Sequence, residues 1–162
     1  MLAKLRARRR AARHKHLDGL AKLTAIFLRQ ADDIERLLQR FNPQIKPPSR
    51  DMMMALVGAL RRASDCSAGG DMGAITQHLA LAAEWADRLA QVRGIAMLRA
   101  GFDLRQIFEN NARGWRHLAR SCARVDKKLR NPFSLARARL FLASLRGPDE
   151  FRRATEKLAG LS

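Results

Sequence analysis

Basic residues recur at intervals of three and four between positions 113 and 128, a spacing that places them on one face of an α-helix. At 100° per residue, all of them fall within about 60° of Arg113, along a row about 22 Å long. The planar guanidinium of arginine can bind two phosphate oxygens at once, so such a row suits a phosphodiester backbone. We call this set the cationic stripe; it comprises Arg113, Arg116, Arg120, Arg124, Lys127 and Lys128.

A second basic segment lies at the N-terminus. Residues 1–16 contain seven Lys or Arg and no acidic residue. Such an arm can be disordered alone and fold onto phosphates, or can serve as an organellar transit peptide or a nuclear address. The predicted phosphate-binding residues of this arm are Arg6, Arg8, Arg9, Arg10 and Arg13.

The positive charge of the chain is concentrated in these two regions. Of a formal net charge of +17, residues 1–16 contribute +7, and residues 113–139 contribute +8 from nine basic residues and Asp126. Residues 17–112 are nearly balanced, with 12 basic and 11 acidic side chains. Concentrated charge of one sign favours a polyanionic partner.

A charged helix face is most often simply solvated, and that alternative stays open. Solvated faces usually mix signs and so gain favourable pairs at i,i+4, whereas the predicted helix places no acid among the stripe cations. Like charges at these spacings repel, which favours a partner that relieves the repulsion.

Sequence signals for catalysis or metal binding are weak. The chain contains no GxxxxGK[ST], GxGxxG, HExxH or GxSxG motif and no Tyr, so neither an enzyme nor a cofactor is expected. His14 and His16 lie within the basic arm, which is a poor environment for a metal cation. Cys66 and Cys122 are far apart and predict two reduced thiols in a cytosol-like compartment.

Three further groups are predicted to be structural. The acidic cluster Asp32, Asp33 and Glu35 lacks a catalytic partner and should pair with Arg29 and Arg36 or with another basic helix. The methionine-rich segment 52–60 and the two tryptophans, Trp85 and Trp115, are expected in the core. If these rings are buried, they cannot stack on the bases of a single-stranded nucleic acid.

Ala, Leu and Arg dominate the composition, and Val and Thr are few, which predicts an all-α fold. We expect a single-domain bundle of five or six helices over residues 17–162, preceded by the arm 1–16, with a long first helix and a basic amphipathic fourth. The first predicted helix runs from within the arm to about Arg40, and the second from Arg50, capped by Ser49, to about Ala63. The third runs from about Asp71 to Val92, and the fourth from about Ile95 to Arg130 with a kink near Gly101. The fifth and sixth are predicted over 134–145 and 149–158.

Two breaks are expected between these helices. Three prolines in the segment 41–49 predict an extended link, and the Gly-rich segment 64–71 predicts a loop. The segment 75–80 loosely resembles part of a helix-turn-helix recognition helix, but a break of the expected length before it does not match the short turn of that motif.

The function expected from these features is non-enzymatic binding of nucleic acid, DNA or RNA, through phosphate contacts. An alternative is a structural or adaptor subunit that docks basic faces onto acidic protein. Attachment to an anionic membrane ranks third, because only Leu2 and Leu5 could anchor the arm. No apolar run approaches the length of a membrane span, and the expected location is cytoplasmic, or an organelle or the nucleus if the arm is a targeting signal. The sequence leaves the oligomeric state open.

Overall fold

The computed structural model describes residues 2–41, 45–92, 97–98, 102–130, 137, 144–148, 151–153 and 156. Of residues 2–3, 5, 8–17, 97–98 and 102–103 it describes the backbone alone. The prediction of an all-α bundle with a long first helix is confirmed. The described helices are α1 (Leu2–Phe41), α2 (Pro47–Gly69), α3 (Met72–Gln91) and α4 (Leu104–Leu129).

Helix α2 begins earlier than predicted, within the proline-rich segment. Lys46 has extended backbone angles (φ −60°, ψ 145°) and occupies the N-cap position, and Pro47 and Pro48 form the first turn. Proline is tolerated there because the first N–H groups of a helix have no intrahelical acceptor. The expected extended link therefore ends at residue 46, and Ser49 is buried in the first turn instead of capping the helix.

Helix α2 also continues through the predicted loop to Gly69. Its polar residues there are satisfied by α1, because Ser64 Oγ donates to Thr24 O at 3.3 Å and Ser67 Oγ donates to Leu20 O at 3.0 Å. These contacts make serine compatible with a buried helix face. The prediction that α2 ends at about residue 63 is wrong for this reason.

Only Gly70 and Asp71 connect α2 to α3. Gly70 adopts a left-handed conformation with φ 77°, the usual role of glycine after a helix. Helix α3 begins close to the predicted start, and Asp71 caps it, because its Oδ1 accepts from Ala74 N at 2.9 Å. The connection is thus short, so the argument from loop length against a helix-turn-helix was wrong.

The fourth predicted helix differs at its start. Residues 97–98 and 102–103 form two-residue antiparallel strands, β1 and β2, and α4 begins at Leu104. Gly94 and Gly101 disfavour helix in this segment. The predicted helices 134–145 and 149–158 lie largely outside the described residues, although Arg137, Ser144 and residues 151–153 are helical.

Consecutive helices pack together, α1 on α2, α2 on α3, and α3 on α4. Residues 145–148 and 151–153, which we call the C-terminal segment, lie between α1 and α4. The Phe151 ring meets the Phe108 ring edge-on with centroids 5.3 Å apart, and stacks on Trp115 at 6.1 Å. The C-terminal segment therefore closes the core.

Gln30 of α1 forms hydrogen bonds to both α4 and the C-terminal segment. It fills the one polar position in the apolar stripe of α1 and is buried. Its Oε1 accepts from Trp115 Nε1 at 2.8 Å, and its Nε2 donates to Pro148 O. The C-terminal segment also lies very close to α4 at Gly114, where an added Cβ would lie 2.7 Å from the Cβ of Pro148.

The core predictions are confirmed at most positions. Trp115 is fully buried, as are Met53, Leu56 and Leu60 of the methionine-rich segment. Trp85 is partly buried and packs at the edge of this core, and the guanidinium carbon of Arg88 lies 4.9 Å from its ring centroid.

Candidate nucleic-acid interface

Helix α4 is sharply divided into a buried and a charged face. Its apolar residues pack against α3 and the C-terminal segment, while all six cations of the cationic stripe are exposed. Because one face of α4 is buried, the opposite face points toward solvent, and the stripe cations form a continuous surface in the folded protein. The buried residues of α4 include Leu104, Phe108, Ala112, Trp115, Leu118, Ala119, Cys122 and Val125.

One stripe cation has an acidic partner that the sequence did not reveal. Arg116 forms an ion pair with Asp87 of α3, and their side chains are 44% and 34% exposed. The expectation that no acid accompanies the row holds along α4 but fails for the surface, because α3 contributes a carboxylate. Asp87 therefore partly neutralises the row near its middle.

The remaining arginines of the stripe are less constrained. Arg113 donates to Asn110 Oδ1 at 2.5 Å, a neutral acceptor that leaves its charge uncompensated. Among the residues that the structure describes, Arg120, Arg124 and Lys127 have no hydrogen-bond or ion-pair partner. Three consecutive stripe cations are thus available to an external anion.

The N-terminal arm is helical in the structure and continuous with α1. Arg6 is exposed, whereas the side chains of Arg8, Arg9, Arg10 and Arg13 lie outside the described residues. The role of the arm in phosphate binding stays a prediction.

A shallow apolar groove of about 360 Å³ runs beside the stripe between α3 and α4. Thr76 and Ala80 line one wall, and Ala119 and Ala123 line the other. Arg116 and Arg120 border this groove, so cationic and apolar surface adjoin there.

The acidic cluster of α1 pairs as predicted. Arg61 of α2 donates to Glu35 Oε2 at 2.6 Å, and Arg36 lies 3.8 Å from Asp33 Oδ1. Burial raises the pKa of Asp33 above 3.8, outweighing the nearby guanidinium groups of Arg36 and Arg29, which lower it.

A second cationic surface was missed by the sequence analysis. A groove of about 480 Å³ lies between α1 and the C-terminal segment, and four of its lining residues are basic. Lys22 and Arg29 share one face of α1, but Arg146 and Arg152 are more than a hundred residues away in sequence. No local pattern could have brought these pairs together.

The cysteines show no sign of catalytic chemistry. Neither forms a disulfide, and burial raises the pKa of Cys122 to about 12, which keeps its thiol protonated and unreactive. Within the described side chains, which exclude His14 and His16, no group of three or more His, Cys, Asp or Glu is placed to hold a metal ion. The described helices also include none long and apolar enough to cross a membrane.

Comparison with protein-family models, with curated proteins and with solved structures finds no match to this chain.

Proposed function

We propose that this protein binds nucleic acid without acting on it chemically, through phosphate contacts made by the cationic stripe and supplemented by the N-terminal arm. The observation that carries the proposal is the row of six exposed cations on one face of α4, whose opposite face is buried. A rigid helix holds these groups along about 22 Å, within side-chain reach of successive phosphates.

The electrostatics of α4 support a polyanionic partner. Like charges at i,i+3 and i,i+4 repel one another, and attraction of each cation to a phosphate would offset that repulsion. Arg120 and Arg124 have no partner within the described residues, so no pair among those residues must break before they bind phosphate.

Binding is expected to favour duplexes and to be weakly dependent on sequence. Trp115 and Phe108 are fully buried, so the rings of α4 cannot stack on unpaired bases. Phosphate contacts position a protein on its partner but carry little sequence information.

The test is fluorescence anisotropy of nuclease-treated protein with labelled duplex DNA, duplex RNA and single strand over a salt series. In the Arg120→Gln, Arg124→Gln double variant, two lost phosphate contacts should reduce the slope of log K against log[salt] by about 1.8. The matched control is Arg40→Gln with Arg62→Gln, which removes two exposed cations from α1 and α2. That control should leave the slope nearly unchanged.

Two results would contradict the proposal. One is weak binding to every nucleic acid even at low salt. The other is an equal loss in the stripe variant and in the control, which would mean that only net charge matters.

The groove between α3 and α4 favours a second candidate, an acidic protein partner. Its apolar floor, bordered by Arg116 and Arg120, suits a helix with an apolar face and flanking carboxylates. Capture of an acidic protein that survives nuclease treatment and is lost in the stripe variant would favour this adaptor role over nucleic-acid binding.

A further inference from the structure

The groove between α1 and the C-terminal segment has the size of a small-molecule site. Its volume of about 480 Å³ lies within the usual range for such pockets. Ile26, Pro148 and Phe151 contribute apolar surface, and Gln30 contributes an amide fixed by hydrogen bonds to Trp115 and Pro148. A rigid floor of this kind limits the entropy lost on binding.

Basic side chains line the groove from both sides. Lys22 and Arg29 project from α1, and Arg146 and Arg152 belong to the C-terminal segment. Arg152 is paired with Glu156 at 2.7 Å. Within the part of the chain that the structure describes, Arg29 and Arg146 form no hydrogen bond or ion pair, although Arg29 lies near enough to Asp33 to lower its pKa. Two guanidinium groups, one from each wall, therefore line the same groove.

Asp33 is the one acidic residue among the described lining residues. It is only 4% exposed, and its Oδ2 has no hydrogen-bond partner among the described residues. A buried carboxylate oxygen without a donor is costly, and a ligand hydroxyl or amino group would satisfy it.

We propose that this groove binds a small phosphate monoester that also carries a hydroxyl or amino hydrogen-bond donor. Arg29 and Arg146 bind the phosphate from opposite walls, and the donor end of the ligand reaches Asp33. A mononucleotide and a sugar phosphate share this chemistry. The site is separate from the cationic stripe and does not depend on nucleic-acid binding.

Isothermal titration calorimetry of the full chain tests the proposal with four probes: adenosine 5′-monophosphate, ribose 5-phosphate, inorganic phosphate and adenosine. At least one of the two phosphate esters should bind, and should bind more tightly than inorganic phosphate. Adenosine alone should not bind. Which ester binds better then identifies the source of the ligand.

Variants separate a specific site from general attraction of anions. Arg29→Gln with Arg146→Gln should weaken binding of the phosphate ester about tenfold or more, because both charge-assisted hydrogen bonds are lost. The control variant Arg40→Gln with Arg62→Gln removes the same charge and should retain the affinity. All four arginines are exposed, so neither variant should unfold the protein.

Asp33→Leu tests the donor contact independently. It should weaken binding of the ester toward the level of inorganic phosphate but should not weaken binding of inorganic phosphate itself. Thermal melting of the unliganded variant verifies that it is folded, and Asp33→Asn, which keeps an acceptor oxygen, should restore part of the affinity.

The proposal is overturned if neither ester binds, if the groove and control variants lose affinity equally, or if all phosphates bind alike. The stripe variant Arg120→Gln, Arg124→Gln should retain ester binding. If that variant loses duplex binding but keeps the ester, the two sites are distinct. If duplex binding fails altogether while the ester still binds, only the nucleic-acid proposal is lost.

Discussion

Replacing Asp87 by asparagine should strengthen nucleic-acid binding. Asp87 neutralises Arg116 in the middle of the cationic stripe, and Asp87→Asn would release that guanidinium for a phosphate. Asparagine keeps the size of the side chain and can still accept a hydrogen bond, so the packing of α3 on α4 should persist. The perturbation therefore changes the charge of the stripe without removing any stripe residue.

The magnitude follows from counterion release. One additional phosphate contact makes the slope of log K against log[salt] more negative by about 0.9. If that contact contributes nothing at 1 M salt, affinity rises at most about fifteenfold at 50 mM and about fourfold at 200 mM. The ion pair is more than a third exposed on the arginine side, so its loss should lower the free energy of unfolding by at most about 1 kcal/mol.

The assay is the same anisotropy salt series, with Glu84→Gln as the matched control. Glu84 lies on α3 one turn before Asp87 and pairs with Arg88 of its own helix, at 2.5 Å. Its replacement gives the same change in net charge without freeing a cation of the stripe. If both variants increase affinity and slope equally, the effect is one of overall charge and the assigned role of Arg116 is refuted; weaker binding in Asp87→Asn would refute it as well.

Three further outcomes are expected from the packing. Gly114→Ala should lower the free energy of unfolding by about 1–3 kcal/mol, because the added methyl would lie 2.7 Å from the C-terminal segment, whereas Gly69→Ala, with nothing within 4 Å, should be nearly neutral in urea denaturation. Burial raises the folded-state pKa of Asp33 above its unfolded value near 3.8, so its contribution to the free energy of unfolding falls as pH rises through the folded pKa. Asp33→Asn should remove this decrease in stability, which urea denaturation midpoints from about pH 4 to about pH 7 would measure. Native protein treated with iodoacetamide should be modified at Cys66 before Cys122, whose thiol is buried with a pKa of about 12, and mass spectrometry should find both modified only after unfolding.

Local patterns predicted those parts of the fold that local interactions determine. Helix α3 starts where Asp71 offers a capping carboxylate, and Ile75 and Leu79 recur at helical spacing and are buried. Helix α2 was predicted too short because the Gly-rich segment 64–71 was interpreted as a loop, whereas Ser64 and Ser67 within it donate hydrogen bonds to carbonyl groups of α1. Such acceptors become available only after α1 and α2 pack.

The cationic stripe and the groove between α1 and the C-terminal segment also differ in how far local sequence patterns predict them. The cationic stripe lies on one helix, so its spacing alone predicted that the cations share a face. Asp87 reaches Arg116 from another helix, and Arg146 meets α1 through a segment that follows α4. Both features depend on how elements pack, which a hydrophobic pattern on a single chain does not specify.

Folding requirements do not explain why α4 carries a row of arginines. Each like-charge neighbour pair costs a few tenths of a kcal/mol, whereas burial of Phe108, Trp115 or Leu118 contributes roughly 1.5–3 kcal/mol per side chain, so the helix forms despite the row. Arg120→Gln with Arg124→Gln should therefore melt slightly higher than the natural chain while binding nucleic acid more weakly, since repulsion is relieved and phosphate contacts are lost. Thermal denaturation followed by circular dichroism, beside the anisotropy series, measures both. A lower melting temperature would mean that these cations stabilise the bundle itself, and the repulsion in the row would no longer argue for a partner.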